Sequence, residues 1–414
     1  MTGQHRIVED YIYVMIVRPF YTDPCPNCGT HSLSVFYEVM GVPVHSVLLM
    51  PTRERAVTYR RGAIRLALCG TCGFISNVAF DSSVHEYAVG YEATQSYSPT
   101  FNTFHTQLAQ QLIDRYQLRN KHLIEIGCGQ GEFLILLCEL GNNQGVGFDP
   151  AYDPTRPRRF DPTQVQFVQD FYSEKYSEVQ GDFICCKMTL EHIPNTAEFV
   201  RTVRRSIGDR RETIVFFQVP NGEYVMRDVA FWDIYYEHCS YFSVGSLAYL
   251  FEQCGFEVLD VATQYGEQYL TIEARPAPTT PAGAGARANR AIAEIKRKVG
   301  AFVAAYPTVL RQWESKLQDF RLQGKRVVIW GSGSKGVAFL TTLAGSDVIT
   351  HAVDVNPYRH GTFMAGTGQE IVGPDALTAI CPDIVIVMNP LYCNEIQQTL
   401  ELMGLHPQLL PLEP

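Results

Sequence analysis

Short apolar runs alternate with helix-like segments through the middle of the chain. The runs have the length and the branched or aromatic composition of buried β-strands, and the segments between them repeat apolar residues at helical spacing. Such alternation indicates a parallel sheet that is covered by helices. The predicted strands of this region are residues 123–126, 145–148, 183–186 and 213–219.

The composition of the sequence and its pattern of apolar residues change on either side of this region. Residues 1–85 carry pairs of cysteines among short β-like runs, including an apolar run over 11–17 that we interpret as a buried strand. Pro, Gly and Ala dominate residues 275–286, as in an exposed linker. The sequence then predicts a helix over 289–323, broken near Pro307 because proline removes a helical hydrogen bond. A second α/β unit follows, with predicted strands at 326–330, 349–353 and 383–388.

The composition narrows the class of protein. A chain of 414 residues exceeds one ordinary domain of about 100 to 200 residues. With 46% hydrophobic and 19% charged residues, it has the composition of a soluble globular protein. The net charge of −9 argues against nucleic acid as the partner and favours a small-molecule substrate. No stretch is long enough to span a bilayer, and we expect a cytoplasmic protein that is a monomer or a small homo-oligomer.

Four of the 12 cysteines form two Cys-x-x-Cys-Gly motifs, whereas most of the others lie in apolar patterns that suit a reducing compartment. Each motif brings two thiolates to a tetrahedral Zn²⁺ at about 2.3 Å, and two motifs complete a closed site. Paired disulfides or a redox-active Cys-x-x-Cys are the alternatives, but a redox motif does not need a second copy. We therefore predict a structural zinc site without an open position, with the ligands Cys25, Cys28, Cys69 and Cys72.

A glycine-rich loop follows the first predicted strand of the central region. It contains Gly127, Gly129 and Gly131, comes directly after Glu125 and leads into an apolar helix. At a helix N-terminus such a loop lets the backbone approach a ligand closely. About 20 residues on, Asp149 ends the next strand, where a carboxylate accepts hydrogen bonds from the ribose hydroxyls of an adenosine. Gly-x-Gly-x-Gly after an acidic residue resembles the class I methyltransferases, which use S-adenosylmethionine (SAM), rather than dinucleotide-binding proteins.

Two further segments of the central region complete the predicted SAM site. Asp170 ends a third strand, where it would accept a hydrogen bond from the adenine amine, or it caps a helix. Lys187 and His192 lie on the loop after the fourth strand, which faces the sulfonium in this fold. We include Lys187 among the cofactor-binding residues. The order of loop, ribose acid and fourth-strand loop predicts a SAM-dependent methyltransferase.

The chain resembles the three-domain sugar C-methyltransferases, which methylate a ring carbon of a nucleotide-linked keto-deoxysugar. The resemblance covers nearly the whole chain: the four-cysteine region, the SAM region, and a C-terminal unit with a glycine loop at 324–336 and an acidic segment at 353–358. The most specific match is Tyr-Tyr-Glu-His at 235–238, where the usual form of the family is Tyr-His-Glu-His. Tyr236 is therefore a departure from the family pattern.

This resemblance implies an α/β protein of three domains. Residues 1–85 would form a small zinc-binding domain, and 86–275 a class I, Rossmann-like SAM methyltransferase domain. A linker and helices would occupy 276–324. Residues 325–414 would form a C-terminal Rossmann-like α/β domain that holds the nucleotide of the substrate.

The resemblance also implies catalytic roles. His238 corresponds to the general base of the family, and Tyr235, Glu237 and His192 would face the same pocket. A carbon becomes nucleophilic when a neighbouring carbonyl lets it lose a proton, so the site needs a base and a partner for the enolate oxygen, a Tyr hydroxyl or His192. Imidazole is neutral near pH 7 because the histidine pKa is about 6.5. The alternatives are structural: an interior hydrogen-bonded residue for His238 and a helix cap for His192.

Geometry limits what the neighbours of this base contribute. Adjacent residues on a strand face opposite ways, so Glu237 orients or polarises the imidazole only if the segment is a loop or a turn. A further tyrosine is implied from the segment before the SAM domain, with Tyr91 as the better match and Tyr87 as the alternative. We interpret Tyr241 and Phe242 as core residues.

The second glycine loop, at residues 331–336, satisfies Gly-x-Gly-x-x-Gly after a predicted strand, and Asp354 lies beyond it. By itself this pattern is typical of a dinucleotide site. Three interpretations stay open: NAD(P) binding, loss of any ligand, and binding of the substrate's nucleotide, which the resemblance implies. A loop at a helix N-terminus accommodates any diphosphate.

The leading hypothesis is SAM-dependent C-methylation of a nucleotide-linked keto-deoxysugar through an enolate. Methyl transfer to oxygen, or to a carbon of a non-sugar metabolite, is a second hypothesis that the departure at Tyr236 motivates. A non-catalytic module that binds SAM and a nucleotide is a third, although the acidic residues Asp149 and Glu237 argue against it.

Overall fold

Three β-sheets organise the part of the chain that the computed structural model describes, which comprises residues 22–84, 90–157, 160–277 and 285–413. The predicted strand over 11–17, the alternative tyrosine Tyr87 and most of the predicted linker lie outside these residues. The strands are β1 (Leu33–Pro43), β2 (Arg61–Cys69), β3 (Ile75–Asn77), β4 (His122–Ile126), β5 (Gln144–Phe148), β6 (Val165–Val168), β7 (Phe183–Lys187), β8 (Ile214–Pro220), β9 (Ser240–Tyr241), β10 (Phe256–Gln264), β11 (Tyr269–Pro276), β12 (Val327–Trp330), β13 (Ile349–Val353), β14 (Glu370–Val372), β15 (Ile384–Val387) and β16 (Gln408–Pro411). The α-helices are α1 (Arg53–Val57), α2 (Pro99–Tyr116), α3 (Glu132–Gly141), α4 (Thr196–Ile207), α5 (Gly222–Arg227), α6 (Val244–Gln253), α7 (Gly285–Leu322), α8 (Ser334–Thr342), α9 (Leu377–Ile380) and α10 (Cys393–Leu402).

The first sheet is antiparallel and has the order β1-β2-β3-β9. Its fourth strand, β9, comes from the segment that follows the Tyr-Tyr-Glu-His motif, and it pairs Tyr241 with Ile75. The N-terminal sheet is thus completed by residues from far along the chain. For this reason the Tyr-Tyr-Glu-His motif at 235–238 is held against the N-terminal region.

The central sheet has seven strands in the order β10-β11-β8-β7-β4-β5-β6. All neighbours from β6 to β8 are parallel, whereas β11 pairs antiparallel with both β8 and β10. The strands predicted in this region correspond to β5, β4, β7 and β8, so the predicted Rossmann-like fold is confirmed. Side chains alternate between the faces: Phe183 packs with α2 and α3, and Ile184 packs with α4 and α6.

The third sheet has five parallel strands in the order β14-β13-β12-β15-β16. The three strands predicted for this unit correspond to β12, β13 and β15. Helix α8 begins directly after the second glycine loop, with Gly333 at its N-cap. The C-terminal unit is therefore the α/β fold that its pattern predicts.

Helix α7 leads to the C-terminal sheet and runs without interruption for 38 residues. The predicted break near Pro307 is wrong, because the helix continues through this proline. A proline in a helix interior costs about 3 kcal/mol, and burial of the apolar face around it offsets that cost. The buried residues of this face include Phe302, Tyr306, Leu310 and Trp313.

One hydrophobic cluster joins the N-terminal sheet, the central region, α7 and the C-terminal unit. Its members include Ile64, Trp232, Trp313 and Val337. Because burial of apolar surface contributes about 25 cal/mol per Å², this shared core holds the elements around the Tyr-Tyr-Glu-His motif in one arrangement. In the described ranges, no helix is both long and apolar enough to cross a membrane.

Candidate active site

The first glycine loop lies between β4 and α3. Gly127, Gly129 and Gly131 have φ angles of 69°, 55° and 86°. A Cβ atom at Gly127 would meet Oγ1 of Thr189 at 2.0 Å, and one at Gly131 would meet the ring of Phe167 at 2.3 Å. A Cβ atom at Gly129 would have no atom within 4 Å, so this part of the loop faces open space. The loop has the tight turn and the open backbone face that a bound cofactor requires.

Asp149 lies beside this loop at the carboxyl end of β5. Its Oδ2 accepts a hydrogen bond from the backbone N–H of Gly129 at 2.8 Å, and its Oδ1 accepts one from Ala151 at 2.8 Å. Burial raises the pKa of this carboxyl group. Each oxygen keeps a further lone pair, so the residue fits the predicted role of acceptor for ribose hydroxyls.

Glu125 and Lys187 are buried near the ends of β4 and β7. The carboxylate of Glu125 accepts a hydrogen bond from the backbone N–H of Leu134 at 3.0 Å. Burial raises the pKa of Glu125 to about 8, and the charge of Lys187 opposes this shift. Burial also lowers the pKa of Lys187 to about 8. Burial thus disfavours the charged form of both groups. Their binding of the charged end of SAM stays a prediction.

His105 of α2 joins this pair and was not predicted. Its Nε2 lies 2.8 Å from Nζ of Lys187, which also lies 3.5 Å from the ring centroid of Phe133. Burial, and then the charge of Lys187, lowers the pKa of His105 to about 2, so its neutral imidazole accepts a hydrogen bond from the ammonium group. In the sequence His105 is one polar residue of an amphipathic helix, and no local signal distinguishes it.

Asp170 follows the third strand of the central sheet, β6. Its carboxylate binds the ammonium group of Lys175 and accepts a hydrogen bond from the hydroxyl of Tyr176 at 2.5 Å. The hydrogen bond from Lys175 is the main cause that lowers the pKa of Asp170 to about 2. The helix-cap alternative is wrong, since Ser173 occupies the cap of the following 3-10 turn. The contact with the adenine amine stays a prediction.

Two histidines from distant segments meet close to the fourth-strand loop. The ring centroids of His192 and His238 are 5.0 Å apart. The hydroxyl of Tyr235 lies 2.8 Å from Nε2 of His238, whose Nδ1 has no hydrogen-bond partner among the described residues. Burial lowers the pKa of both histidines, to about 4 for His192. Both imidazoles are therefore neutral at pH 7.

Glu191 was not predicted, although it directly precedes His192. Its side chain is 0% exposed, and neither carboxylate oxygen has a hydrogen-bond partner in the described part of the chain. Oε1 lies 3.9 Å from Nε2 of His238 and 4.0 Å from Nε2 of His192. Burial raises the pKa of Glu191 to about 8. In the sequence Glu191 is a charged residue between Leu190 and His192, and only the fold shows that it faces two histidines.

The carboxylate of Glu237 has different partners from those predicted. Residues 236–237 form a turn, so neighbouring side chains leave the backbone in different directions. Oε2 of Glu237 accepts hydrogen bonds from the backbone N–H of Ser46 at 3.0 Å and from the Ser46 hydroxyl. That hydroxyl oxygen lies 2.7 Å from Oγ of Ser334. Glu237 thus contacts the N-terminal region next to the second glycine loop, and its hydrogen bonds do not orient the imidazole of His238.

The aromatic residues of the motif pack into the core. A Cβ atom at Gly62 would meet the ring of Tyr236 at 2.3 Å, and the ring of Phe80 lies 5.3 Å from that of Tyr236. The departure from the family pattern is therefore a packing residue of the N-terminal sheet. Tyr241 and Phe242 are buried in the hydrophobic core, which confirms their prediction.

Tyr91 lies at an antiparallel bridge with Leu48. The next residue continues this pairing, because the backbone N–H of Glu92 donates to the oxygen of Val47 at 3.0 Å. The segment before the SAM domain is thereby placed beside the loop that carries Ser46. The catalytic role of Tyr91 stays a prediction.

The second glycine loop lies close to the Tyr-Tyr-Glu-His motif. Nζ of Lys335 donates to Oδ2 of Asp233 at 3.0 Å and to Oε1 of Gln268 at 2.9 Å. Burial, then the neighbouring His192 and then the charge of Lys335 lower the pKa of His238. The positive charge of Lys335 therefore disfavours protonation of the His238 imidazole.

The acidic residue beyond this loop turns back onto it. Oδ2 of Asp354 accepts hydrogen bonds from the backbone N–H of Ser332 at 3.0 Å and from its hydroxyl at 2.6 Å. Arg359 donates to the backbone oxygen of Ser332 at 3.1 Å. Gly331 has a φ angle of 114°, a backbone conformation that would be strained for a residue with a side chain. The loop is thus built for close backbone approach at the N-terminus of α8.

Four cysteine side chains converge in the N-terminal region. The sulfur atoms of Cys25 and Cys72 lie 3.7 Å apart, and those of Cys28 and Cys69 lie 3.6 Å apart. Sulfur atoms at about 2.3 Å from a tetrahedral zinc ion are separated by about 3.8 Å, whereas a disulfide needs about 2.0 Å. Asn27 donates a hydrogen bond to the sulfur of Cys72 at 3.5 Å. The donor set and its spacing fit Zn²⁺.

Comparisons with known proteins match two parts of the chain to families. Residues 101–261 match a family model described as a methyltransferase domain, and residues 289–405 match one described as a C-methyltransferase C-terminal domain. The C-methyltransferase NovU of Streptomyces niveus is 25% identical over 310 residues, which cover 70% of this chain and 71% of that protein.

Solved structures resemble a smaller part of this chain. An S-adenosylmethionine dependent methyltransferase from Mesorhizobium loti is 14% identical with a TM-score of 0.30, and the match covers 40% of this chain and 97% of that one. The 1,6-didemethyltoxoflavin-N1-methyltransferase of Burkholderia thailandensis, solved with S-adenosylhomocysteine, is 16% identical with a TM-score of 0.32 and covers 43% and 81% of the two chains.

Proposed function

Since the chain belongs to a multidomain family of SAM-dependent C-methyltransferases, we propose that it methylates a carbon beside the carbonyl group of a nucleotide-linked keto-deoxysugar. The methyl donor and the reaction class follow from the family. What we propose is the identity of the methyl acceptor, which is the substrate that receives the methyl group, and the residues that activate it.

One observation supports the choice of methyl acceptor: hydrogen bonds link the second glycine loop to the Tyr-Tyr-Glu-His motif and to the residue just before it. Ser46 connects Ser334 of the loop with Glu237 of the motif, and Lys335 of the loop donates to Asp233 just before the motif. A diphosphate at the N-terminus of α8 would be held by backbone N–H groups and by the charge of this lysine. The sugar attached to it would then lie beside His238.

The chain's residues support proton removal by His238. If Nε2–H of His238 donates to the oxygen of Tyr235, which lies 2.8 Å away, Nδ1 has its lone pair free for the proton of the substrate. The electron pair of the broken C–H bond moves to the carbonyl oxygen. The O–H of Tyr235 is then available to donate a hydrogen bond to the enolate oxygen.

The first glycine loop and its acidic neighbours would hold the cofactor. When bound, SAM supplies an electrophilic methyl group on a sulfonium. Asp149, which accepts a hydrogen bond from the backbone of the loop, would accept from the ribose hydroxyls, and the buried Glu125 and Lys187 would bind the charged end. Asp170 is the proposed contact of the adenine amine. The burial of the histidine pocket next to this loop excludes water from the reacting carbon.

We also propose that Cys25, Cys28, Cys69 and Cys72 hold a structural Zn²⁺. Three of the four sulfur-bearing side chains are buried, and the cluster offers no position for a substrate. The zinc site would fix the two turns that flank the N-terminal sheet, and this sheet supports the Tyr-Tyr-Glu-His motif through β9.

Hydrogen exchange in deuterated water tests the proposed chemistry. Nucleoside diphosphate-linked keto-deoxyhexoses are incubated with the protein but without SAM, and ¹H NMR follows the signal of the hydrogen on the carbon next to the carbonyl. We expect this signal to disappear with the wild-type chain and to persist with His238→Ala, while calorimetry shows unchanged SAM binding. His122→Ala is the matched control. That side chain is 67% exposed, and the residue is hydrogen-bonded to Asp182, outside the motif.

Exchange that survives His238→Ala would exclude His238 as the base. The absence of exchange and of methylated product across the panel with the wild-type chain would exclude the acceptor class instead.

A further inference from the structure

Glu191 is a buried carboxylate that has no role in the proposed reaction as described so far. Both of its oxygens lack a hydrogen-bond partner within the described ranges, and the group lies between two histidines. A buried polar group without a partner costs free energy, so its presence in a reactive pocket calls for a partner that appears during the reaction.

We propose that Glu191 is a positioning residue whose carboxylate stabilises the imidazolium that forms when His238 accepts the proton of the substrate. This inference rests on the proposed function. Among the described residues, Glu191 is the one carboxylate with an oxygen within 4.0 Å of this imidazole, at 3.9 Å from Nε2. A buried imidazolium without a counter-charge is strongly unfavourable, and a nearby carboxylate offsets part of that cost.

The other charged groups around His238 do not supply this counter-charge. Lys335 and His192 both disfavour the imidazolium. Asp233 is paired with Lys335 at 3.0 Å, and the hydrogen bonds of Glu237 go to the N-terminal region. Glu191 is therefore the group that makes a buried His238 basic enough to act.

The charges balance through the step. Glu191 loses its proton to solvent as the pH rises through its raised pKa of about 8. In the reaction the C–H bond of the substrate breaks, an N–H bond forms at Nδ1 of His238, and the electron pair moves to the carbonyl oxygen. The imidazolium and the Glu191 carboxylate then form a neutral pair beside the enolate.

A metal ion is the other occupant that two histidines and a carboxylate suggest. Nitrogen and oxygen atoms bound to one ion at about 2.1 Å lie about 3.0 to 3.4 Å apart. The Oε1–Nε2 separations of Glu191 are 3.9 Å to His238 and 4.0 Å to His192, and Nε2 of His238 already has the hydroxyl of Tyr235 at 2.8 Å. The geometry favours a charge pair, and metal binding becomes an outcome of the test.

The first measurement needs no acceptor. The full chain is labelled with ¹⁵N-histidine, and the imidazole signals of His238, assigned with His238→Asn, are followed from pH 5 to 10. We expect both nitrogens to shift with a midpoint near pH 8 in the wild type and in the exposed-site control Glu198→Gln, and to lose this midpoint in Glu191→Gln. A midpoint that persists in Glu191→Gln, or that is absent from the wild type, overturns the proposal.

The second measurement uses methylation of the nucleoside diphosphate-linked sugars. Glu191→Gln should lower kcat on the order of 100-fold with little change in KM or SAM affinity, and the rise of kcat near pH 8 should disappear. Glu191→Asp should recover part of the rate because it restores the charge. An unchanged pH profile in Glu191→Gln, or a second equivalent of Zn²⁺ or Mn²⁺ that depends on Glu191, overturns the proposal. If the wild-type chain does not react at all, the proposed function fails, and the NMR result still decides the role of Glu191.

Discussion

Nδ1 of His192 lies 2.9 Å from the backbone oxygen of Glu237. A carbonyl oxygen only accepts, so Nδ1 carries the hydrogen and Nε2 of the neutral ring carries the lone pair. His192 therefore cannot donate to an enolate oxygen while it is neutral, which was one of the roles that the sequence left open. In this tautomer Nε2 is a hydrogen-bond acceptor, and we predict that a hydroxyl group of the substrate donates to it.

His192→Asn tests this role. The side-chain amide of Asn can occupy the position of Nδ1 and keep the bond to the Glu237 oxygen, but it has no counterpart of Nε2. We expect the KM of the acceptor to rise about tenfold, which corresponds to the loss of one hydrogen bond of about 1.4 kcal/mol, with an unchanged melting temperature. Steady-state kinetics and calorimetric unfolding measure the two effects. A kcat loss without a change in KM would argue against a binding role.

The first glycine loop offers a matched pair of substitutions. Gly131→Ala places a methyl group at φ 86°, 2.3 Å from the ring of Phe167, and should lower the free energy of unfolding by about 1 to 3 kcal/mol. Gly129→Ala, at φ 55° with nothing within 4 Å, should be less destabilising and should mainly weaken SAM binding, because its methyl group enters the open space of the loop. Denaturant unfolding and SAM titration separate stability from affinity.

The buried carboxyl of Glu191 should make stability depend on pH. Its pKa is raised by burial from 4.5 in exposed chains to about 8, so the folded state holds the proton more tightly than the unfolded state. Stability is then fully present below about pH 4.5 and is lost as the pH rises through 8. Glu191→Gln lacks this loss, and by pH 9 it should exceed the wild type by more than about 1 kcal/mol, with little difference at pH 5. Urea unfolding at both pH values measures it, and a constant difference would contradict the raised pKa.

A substitution in the second glycine loop should weaken binding of the methyl acceptor and leave SAM binding unchanged. Lys335→Met removes the ammonium group that bonds Asp233 and Gln268, and we expect at least a tenfold rise in the KM of a nucleoside diphosphate-linked sugar. SAM affinity should stay the same, since the lysine is not part of the first loop. Lys325→Met, at an exposed position, is the control. An equal effect of both variants would indicate general loss of positive charge instead of a specific phosphate contact.

The zinc site can be tested by its stoichiometry. Cys72→Ser removes one of the four sulfur atoms and should abolish the single equivalent of Zn²⁺ that elemental analysis finds in the purified chain. Because structural zinc contributes directly to folding, the free energy of unfolding should fall by more than about 2 kcal/mol. Cys381→Ser, at a half-buried cysteine outside the cluster, should retain the metal. Full metal content in Cys72→Ser would exclude the proposed ligand set.

Much of the central sheet could be predicted because its signals are local. A strand such as β4 is a short apolar run, and Gly127 to Gly131 mark a turn that side chains cannot enter. The same reasoning failed at Pro307, where the local preference for a break is weaker than the burial of the helix face around it. His105 was missed because nothing near it in the chain distinguishes it from a solvent-exposed residue.

The sequence by itself determined the order of strands and helices, the cofactor loop with Asp149, and the spacing of the four cysteines, since each depends on residues that are neighbours in the chain. The tertiary structure alone decided which side chains meet. Glu191 faces His238, and Ser46 joins Glu237 to the second glycine loop, because the turn at 236–237 and strand β9 bring distant segments together. The physical reason is that backbone preferences act over a few residues, whereas the direction of a buried side chain is set by the packing of the whole core.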